Sequence, residues 1–171
     1  FVNEPLTRRT LQKWHPYICP FEEIIPLVPE GSTVLDIGCG SGLLLGLLSS
    51  TGRVRKGVGV EVSTAALKSA RNMVEGMDQR GAGAGLRFIQ TASPNRWPSA
   101  QFDCVTMIDV THHIARPDQE HFVREACRRV APGGRFIYKD MARRPLWRAV
   151  ANRMHDLVLA LGEPGGWGDR R

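Results

Sequence analysis

The chain has 171 residues, 42% hydrophobic and 23% charged, the balance of one globular domain whose core needs neither disulfides nor metals. Its longest apolar run, LLLGLLSS, is too short to cross a bilayer, and no basic and apolar leader opens the sequence, so a cytoplasmic location is expected. The cysteines Cys19, Cys39, Cys104 and Cys127 form no C-x-x-C pair, which argues against a zinc site or disulfide framework, and the net charge of +6 is spread over small basic groups rather than one nucleic-acid-binding block.

Residues 1–30 hold Pro5, Pro16, Pro20, Pro26 and Pro29, which allow only short helices, together with the rings of Trp14, His15, Tyr17 and Phe21. This segment reads as a helical flap over one edge of the domain. From residue 31 to 161 the pattern alternates: strands at 33–37, 57–62, 86–90, 102–109 and 134–140, with helices at 41–50, 64–77, 118–131 and 145–161. Ser63 is placed to cap the second helix, Pro117 stands in the first turn of the third, and Pro132-Gly133-Gly134 stops it. A repeated β-α order of this kind predicts a three-layer α-β-α sandwich around a doubly wound, mostly parallel sheet. The glycine-rich stretch 162–171 reads as a flexible tail.

The first strand runs into VLDIGCGSG, Val34 to Gly42, in the β-α turn where open parallel sheets bind ligands. A dinucleotide fingerprint would need glycine at 43 or 45, and both are leucine; a phosphate-binding Walker loop fails because no Gly-Lys pair occurs. Asp36 adds a negative charge that would repel a pyrophosphate by about 4 kcal/mol at an effective dielectric of 20. Glu61 ends the second strand, where an acid accepts ribose hydroxyls. Together these features ask for an adenosine-like ligand that is cationic and lacks phosphate.

Four elements in order, VLDIGCGSG, VGVEVS, FDCVTMIDVTHHI and VAPGGRFIYKDM, resemble the class I S-adenosylmethionine-dependent methyltransferases from about Val34 to Met141. The resemblance implies a Rossmann-like methyltransferase fold with S-adenosyl-L-methionine as cofactor. It implies that Gly38, Gly40 and Gly42, with Cys39 inside their turn, cradle the methionyl part, that Asp36 lies near its ammonium or a bridging water and that Glu61 holds the ribose. Val62 and Ile108 would flank the adenine. After the third strand the sequence departs from the usual Gly-Asp-Ala pattern, so any adenine contact from Ala92 or Ser93 must use backbone or the Ser93 hydroxyl. The family's sixth and seventh strands are not found, which implies either a truncated chain or a homodimer whose partner completes the sheet.

Methyl transfer from a sulfonium needs alignment above all, and a base only where the acceptor must lose a proton. Asp109, His112 and His113 follow the fourth strand beside the expected methyl group, and one of the two histidines is the candidate base. Tyr138, Lys139 and Asp140 end the fifth strand and are candidates for the acceptor pocket, although Asp140 is also expected to pair with Arg143 or Arg144. The expected reaction is methylation of a small-molecule acceptor. The absence of an Asp/Asn-Pro-Pro-aromatic tetrad makes an RNA methyltransferase the second reading, and a non-catalytic cofactor-binding module is the third.

Overall fold

The computed structural model describes residues 21–78 and 85–140. The expected features at residues 1–20, the helix at 145–161, the tail and any strand beyond Lys139 lie outside the described residues.

The chain enters through a short helix α1 (Phe21–Ile24) and a 3-10 turn (Ile25–Leu27). There follow β1 (Ser32–Ile37), α2 (Leu43–Ser50), β2 (Val54–Glu61), α3 (Thr64–Asp78), β3 (Leu86–Gln90), β4 (Phe102–Ile108), α4 (Arg116–Arg128) and β5 (Val130–Lys139). The five strands form one sheet in the order β3-β2-β1-β4-β5, every neighbouring pair parallel. Strand order reverses at β1, between β2 on one side and β4 on the other, so a crevice opens at the carboxyl ends of these strands.

Both faces of the sheet are covered, which is why β1 reads as an almost unbroken buried run. On one face Val34, Cys104 and Ile137 pack under Phe21, Ile24, Val28, Leu44, Leu45 and Leu48 from α1, the turn after it and α2. On the other face Leu35, Ile37, Val105 and Met107 meet Trp97, Phe122 and Ala126 from the β3–β4 connection and α4. The alternation along each strand puts Asp36, Glu61 and Thr106 on the α2 face, one residue out of step with the aliphatic residues of the opposite face. At the amino ends of β1 and β4, Thr33 donates from its N–H and Oγ1 to the same Asp103 oxygen, both at 2.8 Å.

Ser63 behaves as its position predicts, its Oγ accepting from Ala66 N at 3.0 Å at the start of α3. The boundary between the last helix and strand differs from expectation: α4 ends at Arg128 instead of 131 and β5 begins at Val130 instead of 134. Pro132-Gly133-Gly134 therefore lies inside the strand segment. The register shifts between Phe102 and Cys104 there, so the proline, which has no N–H, interrupts the ladder at an irregularity on a strand with one paired neighbour among the described residues.

The glycine turn is a tight one, and two of its positions differ in why they need glycine. Gly42, at φ +75° before α2, would place a Cβ 2.8 Å from the Phe88 ring and 3.1 Å from Ala70, whereas Gly40, at φ +53°, faces open space. Gly40→Ala should therefore cost about 1–2 kcal/mol from left-handed strain alone. Gly42→Ala should add about 1–3 kcal/mol of overpacking to that strain. Urea unfolding monitored by circular dichroism checks the order; equal midpoints for the two variants would refute the packing of Phe88 under the turn.

Candidate active site

The site is built at the carboxyl ends of β1, β2, β4 and β5, and it has two parts. The first surrounds the glycine turn. Gly38 N and Cys39 N both donate to Val60 O, at 2.8 and 3.1 Å, which draws the turn against the end of β2. Glu61 then closes it: one carboxylate oxygen accepts from Gly40 N at 3.0 Å and the other from Val62 N at 2.6 Å and Ser63 N at 3.0 Å. A carboxylate has room for about four donors, so Glu61 retains acceptor capacity beyond these three amides.

Asp36 is buried at the end of β1 and accepts from Thr106 Oγ1 at 2.6 Å. Burial pushes its carboxyl up from an ordinary 3.8 to about 7; the Thr106 hydrogen bond opposes this and the nearby charge of Glu61 adds to it. The sequence alone suggests a fixed negative charge at Asp36, whereas burial in the fold moves its titration toward neutrality. Cys39, buried beside both acids, has its thiol pushed well up by burial and by Asp36 and Glu61, so it stays protonated and fills space next to Gly59.

The remaining residues expected at the cofactor border this turn at different heights. Val62 follows Glu61 directly and is partly buried. Ile108 packs on the α2 face of the sheet with the cluster that contains Phe21 and Leu45. Thr91 N donates to Glu61 O at 2.9 Å, which sets Ala92 and Ser93 next to the end of β2; Ser93 N is held by Thr91 Oγ1 at 3.0 Å.

The second part lies where β4 and β5 end. Asp109 adopts φ +53°, the one non-glycine residue in the left-handed region among the described residues. Its N–H donates to Lys139 O at 2.7 Å and one carboxylate oxygen pairs with the Lys139 ammonium, while the other oxygen is buried without a hydrogen-bond partner. Burial pushes the Asp109 carboxyl upward against the pull of Lys139. Strained backbone together with an orphaned buried oxygen is the kind of local cost that persists where a ligand offsets it.

Immediately beyond, Thr111–His113 forms a 3-10 turn, tied to α4 by Gln119 Nε2, which donates to Thr111 O at 2.9 Å and Ile114 O at 3.0 Å. His112 Nδ1 meets Asp140 Oδ1 at 2.6 Å. The expected partnership of Asp140 with Arg143 or Arg144 falls on residues outside the described ones; among the described residues Asp140 meets His112 and Thr111. The His113 ring lies 4.0 Å from that of His112 between centroids, and His113 is exposed. Among the described residues no three His, Cys, Asp or Glu side chains gather into a metal site, and no helix is long and apolar enough to cross a membrane.

Sequence reasoning missed Thr106 altogether and underweighted Asp140. Thr106 stood in plain view as the one hydroxyl inside a buried parallel strand, spaced by two from Cys104 and Ile108 and therefore on the face that Asp36 occupies. No sequence signal pairs Asp140 with His112, because they are 28 residues apart and meet only when β4 and β5 align in parallel.

A family model described as a methyltransferase domain matches residues 35–138. Among curated proteins, the chain is 33% identical over 119 residues to a ubiquinone biosynthesis O-methyltransferase of Alkalilimnicola ehrlichii, covering 68% of this chain and 44% of that protein. It is 30% identical over 155 residues to a fatty-acid O-methyltransferase of Mycolicibacterium smegmatis, covering 88% of this chain and 51% of the relative. The chain thus spans about half the length of the curated relatives it matches. Among solved structures, the YcgJ protein from Bacillus subtilis aligns with a TM-score of 0.61 at 25% identity, over 80% of this chain and 57% of that one. A Geobacter sulfurreducens S-adenosylmethionine-dependent methyltransferase in complex with S-adenosyl-L-homocysteine shares the fold, with a TM-score of 0.58 at 17% identity over 81% of this chain and 56% of that chain.

The raised Asp36 carboxyl has a measurable consequence for stability. In the unfolded chain the group ionises near its ordinary value, and in the folded protein only near 7, so between about pH 4 and about pH 7 the folded state holds the extra proton. Stability should fall through that window as pH rises and level off above it, as far as this group contributes. Thermal melts of Asp36→Asn between pH 4 and pH 8 should show a flatter profile than the parent; parallel profiles would disprove the burial cost assigned to Asp36.

Proposed function

Because the chain belongs to the class I S-adenosylmethionine-dependent methyltransferase family, we propose that it transfers a methyl group from S-adenosyl-L-methionine to a hydroxyl of a small organic acceptor. The observation that carries this reading is the pair of acids, Asp36 and Glu61, set on one face of the sheet on either side of a tight glycine turn. The site suits that cofactor in three respects: the open space over Gly40, a titratable carboxylate awaiting a cation, and the orphaned buried oxygen of Asp109. When bound, the cofactor supplies an electrophilic methyl group on a sulfonium.

Each residue then has a separable role. Gly38, Cys39, Gly40 and Gly42 form the floor under the methionyl part, and Asp36, shifted to its ionised form by a nearby cation, balances the ammonium. Glu61 keeps the turn shut with three amide hydrogen bonds and offers its remaining lone pairs to the ribose hydroxyls. Val62 and Ile108 provide apolar walls for the adenine, with Ala92 and Ser93 at its edge. Lys139 holds Asp109 at the border between cofactor and acceptor. His112 and His113 stand on the acceptor side, where a base is required if the nucleophile carries a proton.

The acceptor atom is assigned to oxygen by two supports. The relatives named above are O-methyltransferases, and a histidine at the end of β4 is the group a hydroxyl needs and a thiolate or amine does not. Among the described residues, the Lys139 ammonium beside the site is engaged by Asp109.

Calorimetric titration with S-adenosyl-L-methionine tests the reading. Binding is expected, with Glu61→Ala weakening it about tenfold or more, equivalent to about 1.4 kcal/mol, while circular dichroism confirms that the variant is folded. No heat at millimolar cofactor, or unaltered affinity in Glu61→Ala, would overturn the assignment.

A further inference from the structure

Asp36, Gly59 and Phe88 stand side by side on β1, β2 and β3: the ladders pair Asp36 with Gly59 and Gly59 with Phe88. Registered residues of neighbouring strands share a face of the sheet, here the α2 face, where Phe88 packs against the cluster that holds Leu44 and Leu45. Gly59 has no side chain, so the row has a notch between a buried carboxylate and an aromatic ring. Two groups fill it. A Cβ on Gly59 would lie 2.5 Å from Cys39 Sγ and 2.6 Å from Phe88 Cδ1, so the thiol of the glycine turn and the ring of β3 meet over the bare backbone of β2.

The same ring reaches the far end of the turn. A Cβ on Gly42 would lie 2.8 Å from Phe88 Cζ, with Ala70 Cβ of α3 at 3.1 Å. Phe88 Cδ1 therefore leads the approach to Gly59 and Cζ the approach to Gly42, while Cε1 stands 2.9 Å from both Cβ positions. Gly42 is where α2 begins: its O accepts from Gly46 N and its N–H donates to Cys39 O, both at 2.9 Å. At the near end the turn is gripped by hydrogen bonds, Val60 O on Gly38 N and Cys39 N, and Glu61 on Gly40 N. At the Gly42 end it is set against the Phe88 ring and Ala70.

On the methyltransferase reading, we propose that Phe88 is a positioning residue for the cofactor: through Gly42 its ring fixes the height of the glycine turn above β2, so that the floor under the methionyl part is in place before the ligand arrives. Nothing in this role requires Phe88 to touch the ligand. Three glycines in five residues make the turn loose in itself, and a preformed floor removes the ordering cost that binding would otherwise carry.

The geometry separates two substitutions of similar size. Leucine ends at its δ carbons, so Phe88→Leu keeps the approach to Gly59 and gives up the one to Gly42. Methionine is unbranched and extends one atom further, so Phe88→Met reaches Gly42 again. Phe102→Leu is the control, because Phe102 is buried in the cluster on the opposite face, at the amino end of β4 and away from the turn.

Calorimetric titration of the full chain with S-adenosyl-L-homocysteine, beside urea midpoints of the same samples, tests the role. Phe88→Leu should weaken binding about tenfold or more, and Phe88→Met should recover most of that loss. Phe102→Leu should lower the urea midpoint and leave affinity within about twofold of the parent. Unaltered affinity in Phe88→Leu overturns the proposal. Equal losses in Phe88→Leu and Phe102→Leu overturn it as well, since they mark lost stability alone, and equal losses in the leucine and methionine variants reduce Phe88 to a filler of the notch at Gly59.

Should Phe88→Leu fail to fold, the parent decides. With its phenylalanine rings labelled, a nuclear Overhauser contact between the Phe88 ring and the Gly42 α-protons should be present without ligand; a contact that is missing, or that appears only on adding S-adenosyl-L-homocysteine, overturns the preformed turn. No binding by the parent removes the methyltransferase reading itself, whereas binding that is indifferent to Phe88 removes only the role of Phe88.

Discussion

The Glu61 carboxylate is the tie on which the site depends. It gathers three backbone amides, one from the glycine turn and two from its own continuation toward α3, and hydrogen bonds to a charged acceptor are each worth about 1.5–3 kcal/mol. With Val60 O holding Gly38 and Cys39, this sets where α2 begins and keeps the turn from lifting off β2. The aliphatic side of α2 can then bury Leu44, Leu45 and Leu48 against β1. Core packing and ligand geometry are thus coupled through a single side chain, and any group that competes for Glu61 must leave its amides satisfied.

At the other end of the crevice the constraint is of a different kind. Asp109 is held in a left-handed conformation by its N–H bond to Lys139 O and by the Lys139 ammonium, and one of its oxygens remains buried and unpartnered. Beside it, the Thr111–His113 turn is pinned from two directions, by Gln119 of α4 and by Asp140 after β5. The carboxylates at the two ends also differ in electrostatic state. Burial pushes the Asp36 carboxyl up to about 7, whereas the Asp140 carboxylate collects donors from Thr111 and His112.

Much of this was legible in the chain. Alternating β-branched and helical segments placed all five strands, and β3 agreed at both boundaries. Asp36, Glu61 and the three glycines stood out because their spacing is local: a turn and the ends of the strands around it. The end of α4 was misplaced because Pro-Gly-Gly is a stop signal in a helix and a tolerated irregularity at a strand bulge, and only the register against β4 distinguishes the two.

By itself, then, the sequence determined the layer architecture, the order of strands and helices, and the place of the glycine turn after β1, since all of these follow from periodicity and short-range chemistry. Tertiary structure alone decided the state and partners of the groups within it. Burial within the sheet pushes the Asp36 carboxyl up to about 7, against the hydrogen bond from Thr106, 70 residues away. His112 gains an orienting carboxylate because two parallel strands finish side by side. Protonation and orientation depend on what is near in space, and nearness in space between distant residues is created by the fold.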